Sequence, residues 1–482
     1  MNLSKSFITA LLSASLLVLS SCEKVLEVEP EFNKDGSQIF TNLKDYEFAL
    51  TGAYAAFRQV GYFGNGGQTT GTWGTLPDMM SDNLVQTGED LANFQNQTNW
   101  EYTADEADLD LAWSSAYYVI GQANLVLRNI DRFATEDAKK VNRLKGQALA
   151  IRGMVHFDLL RFWGESYERN STAKGVPYKT AVDAEDLPSR LSVKETWDAI
   201  FKDMQEAETL LADVDAAVNT SSNKSKLDRN AVRALLARMH LYARNYTQAE
   251  TFATQVITDV PLASKTAFPE IWKDGSVAEV LWAVSFNPGE GSPASNIHTA
   301  STNRNRYRPS ASQEALYDKT NDIRYPAYIG TRVLSGNSRR IVNKHLGKGT
   351  ALDNIVNWKA LRTGEMYLIR AEARALQTGK EADALADLNA LRAARIKEYL
   401  DLSLTGQALL DAIAEERRRE LFVEGHRWFD VKRTTKTITR TDVALQSTVK
   451  TIASTAREWN WPIPTSELDA NPIIKPQQTT GY

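Results

Sequence analysis

Glu420 and Glu424 lie four residues apart in the segment 415–433, EERRRELFVEGHRWFDVKR, so a helix would set both carboxylates on one face. Paired carboxylates suit general acid–base work, one protonated to donate and one ionised to accept. The surrounding cations argue against that use. Arg417, Arg418, Arg419 and Arg427 would hold both acids ionised, which disables a general acid. Arg417 also shares a face with Leu409, Ile413 and Leu421, where a guanidinium needs a partner; Glu416, Glu420 and Glu424 are within one or two turns. The segment reads as structural ion pairing. Other chemistries are no better supplied. His156, His240, His298, His345 and His426 are scattered without an HExxH pair, so a zinc protease is unsupported. No GxSxG nucleophile elbow occurs. With a single cysteine, neither a disulfide nor a cysteine–zinc framework can form. No catalytic residue, metal or cofactor is expected.

That cysteine, Cys22, has another use. Lys5 precedes an apolar run over residues 7–19, and Leu19-Ser20-Ser21-Cys22 closes it. A charged start, an apolar middle and small residues at the end describe a secretory signal, too short to span a bilayer stably. A cysteine directly after the small residues resembles the lipobox of bacterial lipoproteins, whose thiol receives diacylglycerol and becomes the first mature residue. On that resemblance residues 1–21 are a lipoprotein signal peptide, Cys22 is the lipidation site, carrying palmitate-type chains, and residues 22–40 are a tether. Acyl chains contribute about 0.8 kcal/mol per buried CH₂, so two or three hold a protein at a membrane almost irreversibly. The acidic run over residues 23–33 resembles the surface-export signals of some Gram-negative lipoproteins; as chemistry alone it is a solvated linker. Residues 109–127 are interrupted by Asp110, Ser114, Ser115, Gln122 and Asn124, which argues against a transmembrane helix.

The remaining body is large. The chain of 482 residues has a formal net charge of −4 and no basic cluster, so nucleic acid is not an expected partner. Eleven Trp, 17 Tyr and 16 Phe can fill a core and leave some rings for a binding surface. Tyr62, Phe63, Trp73, Phe94 and Trp100 stand among Asn, Gln and Thr in a stretch expected to be loops. Rings with amides suit sugars, whose C–H faces stack while their hydroxyls need paired donors and acceptors; the same rings can equally pin loops to the body. Arg304, Arg306, Tyr307 and Arg308 form the densest polar–aromatic cluster of a second loop-rich region, read either as a specificity surface or as salt-bridged loop. Trp73, Asn96, Trp100, Arg306 and Tyr307 are the expected ligand contacts.

Helices must position these loops. Apolar steps of three and four predict helices over residues 42–57, 111–130 and 144–162, the last stopped by Gly164. Ser192 with Glu195 makes a capping box, and Asp228 caps another helix. Two hairpins have tetratricopeptide-like spacing, one from Val232 to Ile257 and one from Met366 to Arg395 with Gly379 in its turn. They are not adjacent in sequence, so a simple continuous solenoid is not expected. Between them Val280, Trp282, Val284 and Phe286 alternate as a strand would, within a large loop-rich insertion.

Residues 152–164 (RGMVHFDLLRFWG), 367–391 (YLIRAEARALQTGKEADALADLNAL), 416–433 and 461–471 (WPIPTSELDAN), closed by Gly481-Tyr482, together resemble the SusD/RagB family of surface nutrient-binding lipoproteins. The motifs occur in family order; matches are looser over 41–100 and 268–357. The resemblance implies a mainly α, SusD-like helical body with tetratricopeptide-like hairpins, a loop-rich insertion and a few short strands. It spans residues 41–482, with a helical repeat part over about 41–262 and a C-terminal SusD/RagB part over about 263–482. It further implies an outer-membrane, lipid-anchored protein facing the cell surface. Such a protein captures an oligosaccharide or peptide and, as a lid, passes it to a SusC-type TonB-dependent transporter. The alternative is a lipid-anchored surface glycan hydrolase, because a carboxylate pair assembled from distant segments escapes motif reading.

Overall fold

The computed structural model describes residues 40–64, 72–183, 185–212, 224–299, 304–334, 336–442 and 450–482. Cys22, the signal segment and the tether up to residue 39 lie outside the described residues. The chain divides into a unit ending at Glu47 and a unit from Phe48 to Tyr482. In the first, Asp45 accepts hydrogen bonds from the amides of Thr41 and Asn42 at the start of α1 (Leu43–Ala56).

The larger unit is built on an array of antiparallel helices. After α2 (Thr72–Met79) come α3 (Ala107–Leu127), α4 (Ala138–Trp163), α5 (Val193–Leu210), α6 (Arg229–Tyr242) and α7 (Tyr246–Asp259). Then, beyond the insertion, follow α8 (Thr363–Ala375), α9 (Glu381–Arg395), α10 (Gly406–Glu420) and α11 (Arg427–Arg433). Each of α3 to α9 packs on the next, and α10 adds to α8 and α9. The expectation of an interrupted repeat is refined here. The two hairpins are distant in sequence, yet α7 lies directly against α8, so the array is continuous in space. Its terminations are local. Ser192 and Glu195 exchange hydrogen bonds at the start of α5, Asp228 accepts from the Ala231 amide at the start of α6, and Gly164 caps α4. Gly379, at φ +79°, turns α8 into α9. Small residues allow the close approach: a Cβ on Gly153 of α4 would sit 2.9 Å from Met204 Sδ of α5.

Short antiparallel strands accompany the helices: β1 (Leu84–Gln86) precedes α3, and the insertion supplies β2 (Val280–Val284), β3 (Tyr307–Pro309), β4 (Ile329–Leu334), β5 (Asn337–Val342) and β6 (Trp358–Arg362). Among the described residues every sheet has two strands. β2 pairs with β6 and is buried along its whole length, so its alternating pattern does not mark one wet face. β4 and β5 form a regular hairpin. A further pairing joins β1 to β3, with Gln86 opposite Tyr307 and Leu84 opposite Pro309. Residues 84–86 and 307–309 are thus neighbours although α3 to α7 separate them in sequence.

No helix among the described residues is long and apolar enough to cross a membrane. The motif-bearing segments converge in the core. Trp461 stacks on Phe162 at 3.7 Å, and Trp163 Nε1 donates to the Pro462 carbonyl at 2.7 Å. The ending of the chain is therefore stitched into the end of α4.

Candidate functional site

The carboxylates of 415–433 are placed by α10 and the turn after it, and they sit in a dry cationic cage. Glu420 accepts from Arg324 Nη1 at 2.9 Å, Arg362 Nη1 at 3.0 Å and Arg395 Nη2 at 3.0 Å. Glu416 takes Arg324 at 2.6 Å, and Glu424 takes Lys344 and Arg362, each at 2.7 Å. Burial alone would raise the Glu420 pKa, but Arg395, Arg362 and Arg324 outweigh it and hold the carboxyl well below its usual range. The expected ion pairing is present, with different partners. Arg418 and Arg427 go to Asp82, and Arg419 goes to Glu415 and Glu416. Arg417 is also corrected: it pairs with Asp430 at 2.9 Å and, more loosely, Glu365 at 3.6 Å, not with Glu416, Glu420 or Glu424. Tertiary packing brings in acids that helical spacing cannot count. The cage braces α10 against the insertion, and its locked carboxylate leaves Glu420 no proton to donate.

The same motif is fastened to α2. Asp78 accepts from the Val423 and Gly425 amides, both at 3.0 Å, and from Asn83 Nδ2 at 2.7 Å. Gly425 is at φ +80°, and a Cβ there would come within 2.5 Å of the Trp73 carbonyl. Burial pushes Asp78 up to about 6 against these hydrogen bonds.

The β1–β3 pairing gathers most of the expected ligand contacts. Tyr307 is fully buried in β3, its hydroxyl donating to the Asn93 carbonyl at 3.1 Å. Trp100 closes the short helix Gln95–Asn99; its Nε1 donates to the Met80 carbonyl at 2.9 Å, and Arg440 lies 4.0 Å over its ring. Asn96 is exposed and donates to Glu106. Arg306 is half-buried, and its charge faces Asp90, whose carboxyl burial pushes up to about 6. Trp73 is elsewhere. It belongs to helix α2 rather than a loop, is 3% exposed, and stacks on Tyr62 at 5.2 Å. The expected loop placement is corrected for Trp73, in a helix, and Tyr307, in a strand; Trp100 keeps a turn, and all three rings are buried because covering an aromatic face outweighs leaving it in water. Asn96 and Arg306 keep the solvent-facing groups. Glu89, Asp90 and Arg339 join this face unforeseen; single charges in short loops carried no periodic signal.

A cavity of about 480 Å³ opens within the insertion, walled by Trp272, Pro326, Asn343, Leu346 and Leu352, with Lys273 at its rim. Small-molecule sites fall at roughly 300–1,000 Å³, so the size fits a sugar ring or two. No carboxylate or imidazole lines it, so it can hold a ligand but offers no acid–base pair. No group of acids, histidines or cysteines among the described residues could hold a metal ion.

Comparison with known proteins agrees along the chain. A family model described as starch-binding, associating with outer membrane, matches residues 60–241, and a model of the SusD family matches residues 271–482. A SusD-like protein of Formosa agariphila is 27% identical, covering 89% of this chain and 92% of its own length. A solved SusD superfamily protein of Bacteroides thetaiotaomicron superimposes with a TM-score of 0.79 at 26% identity, covering 91% of this chain and 99% of its own. A Bacteroides vulgatus protein named for sugar binding superimposes with a TM-score of 0.74 at 27% identity, covering 91% and 98%.

Proposed function

The chain belongs to the SusD/RagB family, and from that premise we propose that it is a carbohydrate-capturing lipoprotein of the outer membrane. In this reading Cys22 carries the lipid, the body faces the cell surface, and the captured oligosaccharide passes to a SusC-type TonB-dependent transporter under the protein acting as a lid. The single observation that carries it is the β1–β3 pairing, which brings Arg306 beside β1 and, through β3 against β5, next to the β4–β5 hairpin; the helices form one continuous array. Such an array offers a broad partner surface, while loops above it can hold a ligand. A lipid tether beside a channel raises the effective concentration of binder at the pore. The chemistry is capture and release, with no bond broken; the caged Glu420 is consistent with that and useless for hydrolysis.

Three measurements test the reading. Metabolic labelling with a palmitate analogue is expected to mark the wild-type chain and to leave Cys22→Ser unlabelled. Extraction in mild detergent is expected to co-purify a large outer-membrane transporter. Incubation with glycans is expected to give binding with the glycan intact; sustained turnover would replace this reading with the hydrolase.

A further inference from the structure

Arg332 and Arg339 stand directly opposite each other across the β4–β5 hairpin, so both side chains leave the same face. Like charges facing across a strand pair destabilise it, so this arrangement costs the fold something. One carboxylate offsets it. Glu89 accepts from Arg339 Nε at 2.7 Å and from the Asn305 amide at 2.8 Å. Burial raises the Glu89 pKa, but these two hydrogen bonds outweigh it and keep the acid ionised below its usual range.

Arg332 has no such partner. Its Nη1 meets His298 Nε2 at 2.9 Å. Guanidinium can only donate, so Nε2 is the lone-pair nitrogen and the imidazole is neutral. Burial, then the Arg332 charge, lowers the His298 pKa to about 4, which keeps it neutral at ordinary pH. Arg304 is exposed on the strand beside His298, and Arg306 is half-buried with its Nε making no hydrogen bond. Among the described residues neither forms an ion pair. Elsewhere in the same region arginines are matched: Arg308 to Asp442, Arg340 to Glu314, Arg324 to Asp322. The adjoining residues 300–303 and 335 are Ala, Ser, Thr, Asn and Ser, so they add no acid.

We propose that Arg332 and Arg339 form an anion-binding pair that recognises a carboxylate or sulfate group on the captured sugar, making the ligand an acidic glycan. This rests on the glycan-capture reading and narrows it. Glu89 and His298 orient two guanidinium forks, the geometry that binds oxyanions in two-pronged fashion.

The test uses the full lipidated chain in detergent micelles and four probes: polygalacturonate, dextran sulfate, uncharged dextran and poly-glutamate. Calorimetry at low and moderate salt is expected to find polygalacturonate or dextran sulfate bound, and which of the two binds identifies the anion. Affinity is expected to fall at least tenfold in Arg332→Gln/Arg339→Gln and several-fold in Arg332→Gln alone, but not in Lys475→Gln, an exposed site elsewhere. The double variant relieves a repulsion, so its melting midpoint is expected to hold; should it fail to fold, the single variant Arg332→Gln, which breaks no ion pair, decides. Uncharged dextran bound with neither anionic sugar would overturn the acidic-glycan proposal and leave glycan capture standing. Equal binding of poly-glutamate, or equal loss in Lys475→Gln, would overturn it as non-specific charge. No glycan bound at all, charged or neutral, would sink the capture reading itself.

Discussion

Glu420 shows how much a single carboxylate can hold. Three guanidinium groups, Arg324, Arg362 and Arg395, converge on it out of contact with water. Removing it would leave buried cations competing for Asp322, Glu416, Glu424 and Glu279. Glu420→Ala is therefore expected to destabilise the fold by about 3–5 kcal/mol, read as a lowered urea midpoint or as insoluble protein. Glu424→Ala also strips Lys344, whose pKa burial has already lowered to about 8, and is expected to act in the same direction. A midpoint unchanged by Glu420→Ala would mean the cage is not what braces α10. The charge state of this acid could be foreseen from its arginine-rich neighbourhood. Its actual partners could not, because Arg324, Arg362 and Arg395 come from three other elements.

Among the elements, two glycines separate by what packs on them. Gly121, in α3, would meet nothing within 4 Å on gaining a Cβ. Gly121→Ala is expected to stabilise by about 0.5–1 kcal/mol, the helix propensity of alanine over glycine. Gly425 is bound by its left-handed backbone and by the Trp73 carbonyl 2.5 Å away. Gly425→Ala is expected to cost about 1–3 kcal/mol and to loosen the Asp78 clamp between α2 and the turn before α11. Denaturant midpoints of the two variants should move in opposite directions. Helix boundaries at Ser192, Asp228 and Gly164 were legible in the sequence because capping needs only three or four neighbouring residues. The stacking of α7 on α8 was not, since it closes a loop of about a hundred residues.

For the whole molecule, acid is the revealing condition. All five histidines are buried and held neutral: His156 near 3, His240 and His298 near 4, His345 and His426 lowered well below normal, with burial the leading cause in each. Their folded pKa values lie below the unfolded value of 6.5, so their contribution is present above that pH and lost as pH falls. Each loses about 1.4 kcal/mol by one unit below 6.5. Asp78 and Asp90, raised to about 6, and Asp108, raised to about 7, work the other way and favour the fold as pH drops. Three aspartates with partial shifts do not offset five histidines. Unfolding free energy is expected to decline by several kcal/mol between pH 7.5 and 5.5; a flat or rising profile would contradict it.

By itself, the sequence determined the helical pattern, the caps, the expectation of ionised acids in 415–433 and the resemblance to a family, all set by residues close along the chain or by motif order. Only the tertiary structure decided which cations meet Glu420, that Trp73 is core while Asn96 and Arg306 reach solvent, and that of two facing arginines Arg339 meets Glu89 while Arg332 meets His298. Those outcomes depend on distant strands such as β1 and β3 pairing, and burial energy acts on whichever surfaces that pairing brings together, whatever their separation in the chain.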